Sequence, residues 1–203
     1  MPELLEFRYP SARSGHTIYA QELCPDTPPR AVIQIVHGVA EHMGRYEEVS
    51  RFLAAHGFLV CGEDHLGHGK TVEAGSYGFF APKDGWDLVV RDVRRLRELE
   101  GEKYPSLPYF LLGHSMGSFL TRTYLIQYPG TLDGVILSGT GQEPAATVAF
   151  GKGVLAMFGA IRGYHIPCKF FNDLCVGVYN KKFAPNRTGA DWISRDNDVV
   201  DAY

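Results

Sequence analysis

The stretch from Tyr109 to Gln127 constrains the fold more than any other. Tyr109 to Leu112 is an apolar run with the length of a buried strand. Gly113-His114-Ser115-Met116-Gly117 follows, and Phe119, Thr123, Ile126 and Gln127 then continue at helical spacing until Pro129-Gly130. Strand, sharp turn and helix in that order place Ser115 at the turn, the layout of a nucleophile elbow. Its glycines have a steric reason: the serine sits in a strained conformation, and side chains two residues away on either side would strike the neighbouring strand and helix. The helix starts directly behind the serine, so its N-terminal dipole and free N–H groups can stabilise negative charge there. Chance alone supplies Gly-x-Ser-x-Gly roughly 0.1 times in a chain of this size and composition. A glycine-bounded turn without chemistry would read the same, so the rest of the chain has to decide.

Residues 4–9 and 17–24 alternate loosely around Ser-Gly-His, which predicts two antiparallel strands. Ala31 to Val36 is nearly all apolar and β-branched, as expected of a strand buried on both faces, and runs into His37-Gly38-Val39-Ala40-Glu41-His42. The spacing predicts a helix over 46–56, closed by Gly57, then a strand over 58–62 that ends in Asp64-His65-Leu66-Gly67-His68-Gly69. A glycine-rich loop occupies 71–85, a long helix 87–100, and a last buried strand 134–138. Strands alternating with helices give a mostly parallel sheet with helices on both faces. In such a sheet the site lies at the carboxyl ends of the strands. The loops at His37–His42, Asp64–Gly69 and Ser115 all leave there. After Thr140 the alternation stops. Residues 1–143 read as the N-terminal part of a core, and 144–203 as an insertion packed over the sheet's carboxyl edge.

The 203 residues suffice for one sizeable core. A net charge of −3 with scattered Lys and Arg excludes a nucleic-acid surface. No apolar run approaches the roughly 18 residues of a membrane span, and MPELLEFRYP lacks a leader's layout, so the cytoplasm is the expected compartment. Cys24, Cys61, Cys168 and Cys175 form no close pair and no zinc-ligand spacing, so free thiols are expected and neither metal nor cofactor.

VHGVAEHMGRY, EDHLGHGKT and GHSMGS together resemble the α/β-hydrolase superfamily. The likeness is to the branch of monoacylglycerol lipases, lysophospholipases and the domain named after serine aminopeptidases. YNKKFAPNRTGADWISRDNDVVDAY resembles the cap of bacterial lysophospholipase-like members, so the likeness runs through essentially the whole chain. It implies an α/β-hydrolase fold and a serine hydrolase of monoacylglycerol or lysophospholipid esters working through an acyl-enzyme. Ser115 would be the nucleophile, and the backbone N–H groups of Val39 and Met116 the oxyanion hole. Glu41 and Arg45 match positions near the polar end of the substrate pocket, although an ion pair between them is an alternative. The apolar residues of 144–183 would form a lid over an acyl chain.

The family's catalytic order is Ser, then Asp or Glu, then His. His165 is the one histidine after Ser115, and Asp191, Asp196, Asp198 and Asp201 fall in the cap-like stretch before any further strand. The triad partners are therefore expected outside this sequence, which reads as a truncated, inactive member. The alternative is a non-catalytic binding module on the same fold. With no later strands, 134–138 would form an open apolar edge prone to self-association.

Overall fold

The structure is a computed structural model that describes residues 3–73, 75–163 and 177–203. It divides into two compact units, Met1–Ala156 and Met157–Tyr203. In the first unit six strands form one sheet: β1 (Glu3–Pro10), β2 (Thr17–Cys24), β3 (Ala31–Val36), β4 (Phe58–Glu63), β5 (Tyr109–His114) and β6 (Gly134–Ser138), in the order β1-β2-β4-β3-β5-β6. β1 pairs antiparallel with β2, and β2 antiparallel with β4. β4, β3, β5 and β6 are parallel. The mostly parallel α/β sheet expected from the sequence is present.

β3 is buried along its whole length because both its faces carry cover. Val32 and Val36 join the larger core with Leu59, Cys61 and Leu111. That core also holds Val89, Val93 and Leu96 of α2 (Gly85–Lys103) and Leu120 and Tyr124 of α3 (Met116–Gln127). Ile35 points the other way, to Met43 and Val60, with Leu53 of α1 (Glu47–Ala55) packed against them. The period-two alternation of a strand thus divides one run of apolar residues between two helical layers. Gln34 is the polar exception. It is fully buried, donates to the Val93 carbonyl at 2.9 Å and accepts from the Tyr109 hydroxyl at 2.7 Å, so its amide oxygen and nitrogen both have partners.

The helix expected over 46–56 is α1, and a 3-10 turn, Met43–Tyr46, precedes it. Leaving β3, the chain goes to β4 on one side and returns to β5 on the other. The crevice between the carboxyl ends of β3 and β5 is therefore the switch point where such sheets bind ligands. β6 lies at the end of the sheet, with Ile136 and Leu137 50% and 37% exposed.

Residues 145–162, where no strand-helix alternation is expected, form one helix, α4 (Ala145–Arg162). It is long and apolar enough to cross a membrane by length and composition, with Lys152 inside it and only Gly159 buried. In the second unit the stretch 180–192 is cross-braced by its own side chains. Asn180 donates to the Thr188 carbonyl at 2.8 Å and accepts from the Trp192 amide at 3.1 Å. Asp191 accepts from the amides of Arg187 and Thr188. A short helix, Asn197–Ala202, follows, capped by Asp196.

Candidate active site

Ser115 stands between β5 and α3 with φ 52° and ψ −118°, a conformation that L side chains rarely adopt. Its own amide donates to the Ser138 carbonyl at 2.9 Å, which ties the turn to β6. The flanking glycines are required sterically. A Cβ on Gly117 would overlap the Val36 carbonyl, and one on Gly113 would lie 2.5 Å from Thr121 Oγ1 and 2.6 Å from the Gly117 carbonyl oxygen. The neighbouring strand end and the following helix thus press on the turn from two sides. Met116 opens α3, so its amide has no intrahelical acceptor.

The loop after β3 lies against this turn. A Cβ on Gly38 would sit 3.2 Å from Ser115 Cβ and 3.3 Å from the His114 carbonyl oxygen. Val39 is half exposed, and Ala40 after it takes φ 57°, a second strained non-glycine residue. The structure therefore brings Gly38, the residue before Val39, against the turn that carries Ser115 and Met116. Among the described residues, the Val39 amide donates to no protein acceptor.

Glu41 lies under this loop, 7% exposed. Its carboxylate accepts from the Gly38 amide, from Tyr46 Oη at 2.6 Å and from Arg45 Nη1 at 2.8 Å. The ion-pair alternative is the arrangement seen, but it is buried on the Glu41 side rather than solvated. Asp64 shapes the neighbouring turns, its two oxygens accepting from the Met43 and Lys70 amides at 2.8 and 2.7 Å. His114 bonds Ser138 Oγ at 3.2 Å, a packing role, as adjacent side chains in a tight turn diverge. His165, the histidine that follows Ser115, lies outside the described residues. Among the described residues, Ser115 Oγ has no hydrogen-bond partner and therefore no base in contact.

Sequence reasoning missed a buried polar line behind the β3 loop. His37 and His65 are fully buried, with ring centroids 3.9 Å apart in a stack. Burial pushes the His37 imidazole well below the ordinary range and His65 to about 3, so both are neutral. Glu63, at the end of β4, places Oε1 3.3 Å from His65 Nδ1 and accepts the Tyr9 hydroxyl on Oε2. Desolvation raises this carboxyl to about 8, Asp64 adding to the effect. The signal in the sequence was a carboxylate inside FLVCGE, a run otherwise apolar enough to be buried on both faces.

The sequence profile of the serine aminopeptidase S33 family matches residues 27–203. The chain belongs to the serine aminopeptidase S33 family of α/β-hydrolases. Within this family it is 35% identical to a monoacylglycerol lipase of Mycolicibacterium smegmatis, over 88% of the chain and 56% of that protein. It is 37% identical to a human monoglyceride lipase, over 61% of the chain and 39% of that protein. A thermostable carboxyl esterase from Bacillus coagulans, solved with glycerol, superposes with a TM-score of 0.85 at 33% identity, covering 98% of this chain and 64% of the other. The chain thus spans about half the length of the curated relatives it matches. Its place is the monoacylglycerol-lipase-like branch that the three sequence motifs resemble.

The raised Glu63 carboxyl has a consequence for stability. Folded, Glu63 keeps its proton up to about pH 8, whereas an unfolded glutamate releases it near 4.5. Between those values the folded state binds the extra proton, so the contribution of Glu63 is fully present below 4.5 and is lost as pH rises through 8. Glu63→Gln, which keeps the neutral shape, is expected to flatten the fall of the urea midpoint between pH 5 and 8. Equal slopes in wild type and variant would disprove a buried protonated Glu63.

Proposed function

We propose that this chain carries the nucleophile and oxyanion hole of a serine hydrolase acting on monoacylglycerol or lysophospholipid esters. The observation that carries the reading is the backbone of Gly38–Val39 pressed against Ser115 at the switch point of the sheet. Ser115 Oγ attacks the ester carbonyl, its proton passing to a general base outside the described residues. The carbonyl oxygen gains the negative charge, and the Val39 and Met116 amides hold it. Collapse breaks the bond to the alcohol, which leaves with a proton, and water then releases the acid from the acyl-enzyme.

Glu41 and Arg45 serve the substrate through the loop: the carboxylate fixes the Gly38 amide, and Arg45 holds the carboxylate. Residues 144–203 act as a cap, with the apolar side chains of α4, such as Phe150 and Leu155, offered to an acyl chain. The free thiols of Cys24 and Cys61 support a cytoplasmic setting.

The decisive test uses the protein expressed from its complete reading frame with a short-chain monoacylglycerol. Ser115→Ala is expected to lower kcat by about 10⁶-fold, the cost of removing a nucleophile of this kind. Hydrolysis that survives this change would remove Ser115 from the mechanism.

Residues 1–203 by themselves are expected to react slowly or not at all with a fluorophosphonate, because Ser115 Oγ has no base among the described residues. Rapid stoichiometric labelling would show a base in place, and His165 would be the first residue to substitute. The exposed Ile136 and Leu137 of β6 are expected to drive self-association of the same chain, and Ile136→Lys to reduce it in sedimentation velocity. A wild-type chain that stays monomeric at high concentration would contradict that.

A further inference from the structure

The buried histidines behind the β3 loop are arranged so that each hydrogen has one place to be. His37 Nδ1 lies 2.7 Å from the Gly38 carbonyl oxygen, which can only accept, so Nδ1 carries the proton. His37 Nε2 lies 3.0 Å from the backbone nitrogen of His65, which can only donate, so Nε2 is bare. Two backbone groups, one from each loop, thus impose a single neutral tautomer. His65 is fixed in the same way. Its Nε2 faces the His37 carbonyl at 3.3 Å and must donate, so its Nδ1 must accept from Glu63 Oε1 at 3.3 Å. That arrangement needs Glu63 to hold a proton.

The carbonyl that His37 grips belongs to the peptide whose N–H is that of Val39. A trans peptide is planar, and its C=O and N–H point in opposite directions. Binding the carbonyl toward the fully buried imidazole therefore turns the Val39 N–H away from the interior, at the loop whose Gly38 backbone lies against Ser115. A hydrogen bond on the carbonyl also polarises the N–H of the same peptide and strengthens it as a donor.

We propose that His37 is a positioning residue for the oxyanion hole: its Nδ1–H orients and polarises the Gly38–Val39 peptide, and the His65 backbone N–H on Nε2 locks His37 in the one neutral tautomer that can do so. The proposal rests on the reading of Val39 as an oxyanion donor. It assigns His37 a task distinct from that of a base, since both its ring nitrogens are already committed.

Two amide substitutions test it in the protein expressed from its complete reading frame. His37→Asn places an N–H where Nδ1–H stands, whereas His37→Gln places its amide near Nε2 and leaves the Gly38 carbonyl unheld. Both delete the ring and its stacking, so a role in packing alone predicts equal losses. In His37→Gln, kcat toward a short-chain monoacylglycerol is expected to fall about 10²–10³-fold, the effect of losing one oxyanion donor. KM should stay within about threefold, and His37→Asn should keep kcat at least roughly tenfold above His37→Gln. Equal kcat losses, or a loss carried by KM, would overturn the proposal.

A second measurement needs no turnover. Long-range ¹⁵N spectra of the wild-type imidazoles are expected to show His37 protonated on Nδ1 and bare on Nε2, and the Val39 amide peak should shift in His37→Gln more than in His37→Asn. A proton on His37 Nε2 would overturn the proposal even if His37→Gln failed to fold. Should Ser115→Ala leave hydrolysis intact, the nucleophile assignment fails, while the imidazole spectrum still decides whether His37 holds this peptide.

Discussion

The structure depends on a backbone-to-backbone approach: Gly117, in the first turn of α3, lies directly on the Val36–His37 backbone at the end of β3. Any side chain at 117 would push the helix off the strand. The contact sets the distance between the elbow and the β3 loop, so it also sets the distance between Ser115 and the Gly38–Val39 peptide. The strain at Ser115 and Ala40 is sustained by this packing, because neither turn can relax without moving the other. The register of β3 and β5, with Val36 opposite Gly113, delivers both turns to the same level of the sheet.

Behind the site, a set of polar groups is embedded beside the apolar core that β4, the first hairpin and α2 share. Tyr9 reaches from β1 to Glu63 and to the Asp92 carbonyl at 3.0 Å. The Asp92 side chain, pushed to about 7 by burial with Glu63 nearby, accepts from Ser11 and the Ala12 amide. Leaving any of these unpaired would cost more than an apolar replacement would. The return is definition: each member accepts or donates at one place, so the loops at the carboxyl ends of β3 and β4 have one arrangement. A merely hydrophobic layer there could slide.

The sequence made the sheet legible because its signals were local. β3 and β6 begin and end where the apolar runs do, and Gly113 and Gly117 announced a close approach that the structure shows. What stayed hidden was non-local. The 3-10 turn at Met43–Tyr46, ahead of α1, is held at its Met43 amide by Asp64, 21 residues away. α4 was obscured by Gly151, Gly153 and Gly159, which weaken helical propensity without breaking the helix. The Glu41–Arg45 pair was visible as a spacing, but only the fold shows the carboxylate turned under the loop toward the Gly38 amide. Glu63 and His65 gave a weaker signal still, since each lies in a motif that also reads as loop shaping.

The same network narrows what the site can do. His37, His65 and His68 are buried, their imidazoles are held in the neutral form, and His68 spends its Nδ1 on the Leu66 carbonyl at 3.0 Å. A general base must gain a proton during the reaction, and a buried imidazole with no paired carboxylate resists that charge strongly. His65 has a carboxyl at hand, yet Glu63 is itself held neutral and cannot offset an imidazolium. These histidines are thus suited to holding dipoles in place and unsuited to shuttling protons. The loops that follow β3 and β4 are thus a rigid polar unit whose imidazoles conserve their protons while their hydrogen bonds fix the backbone around them.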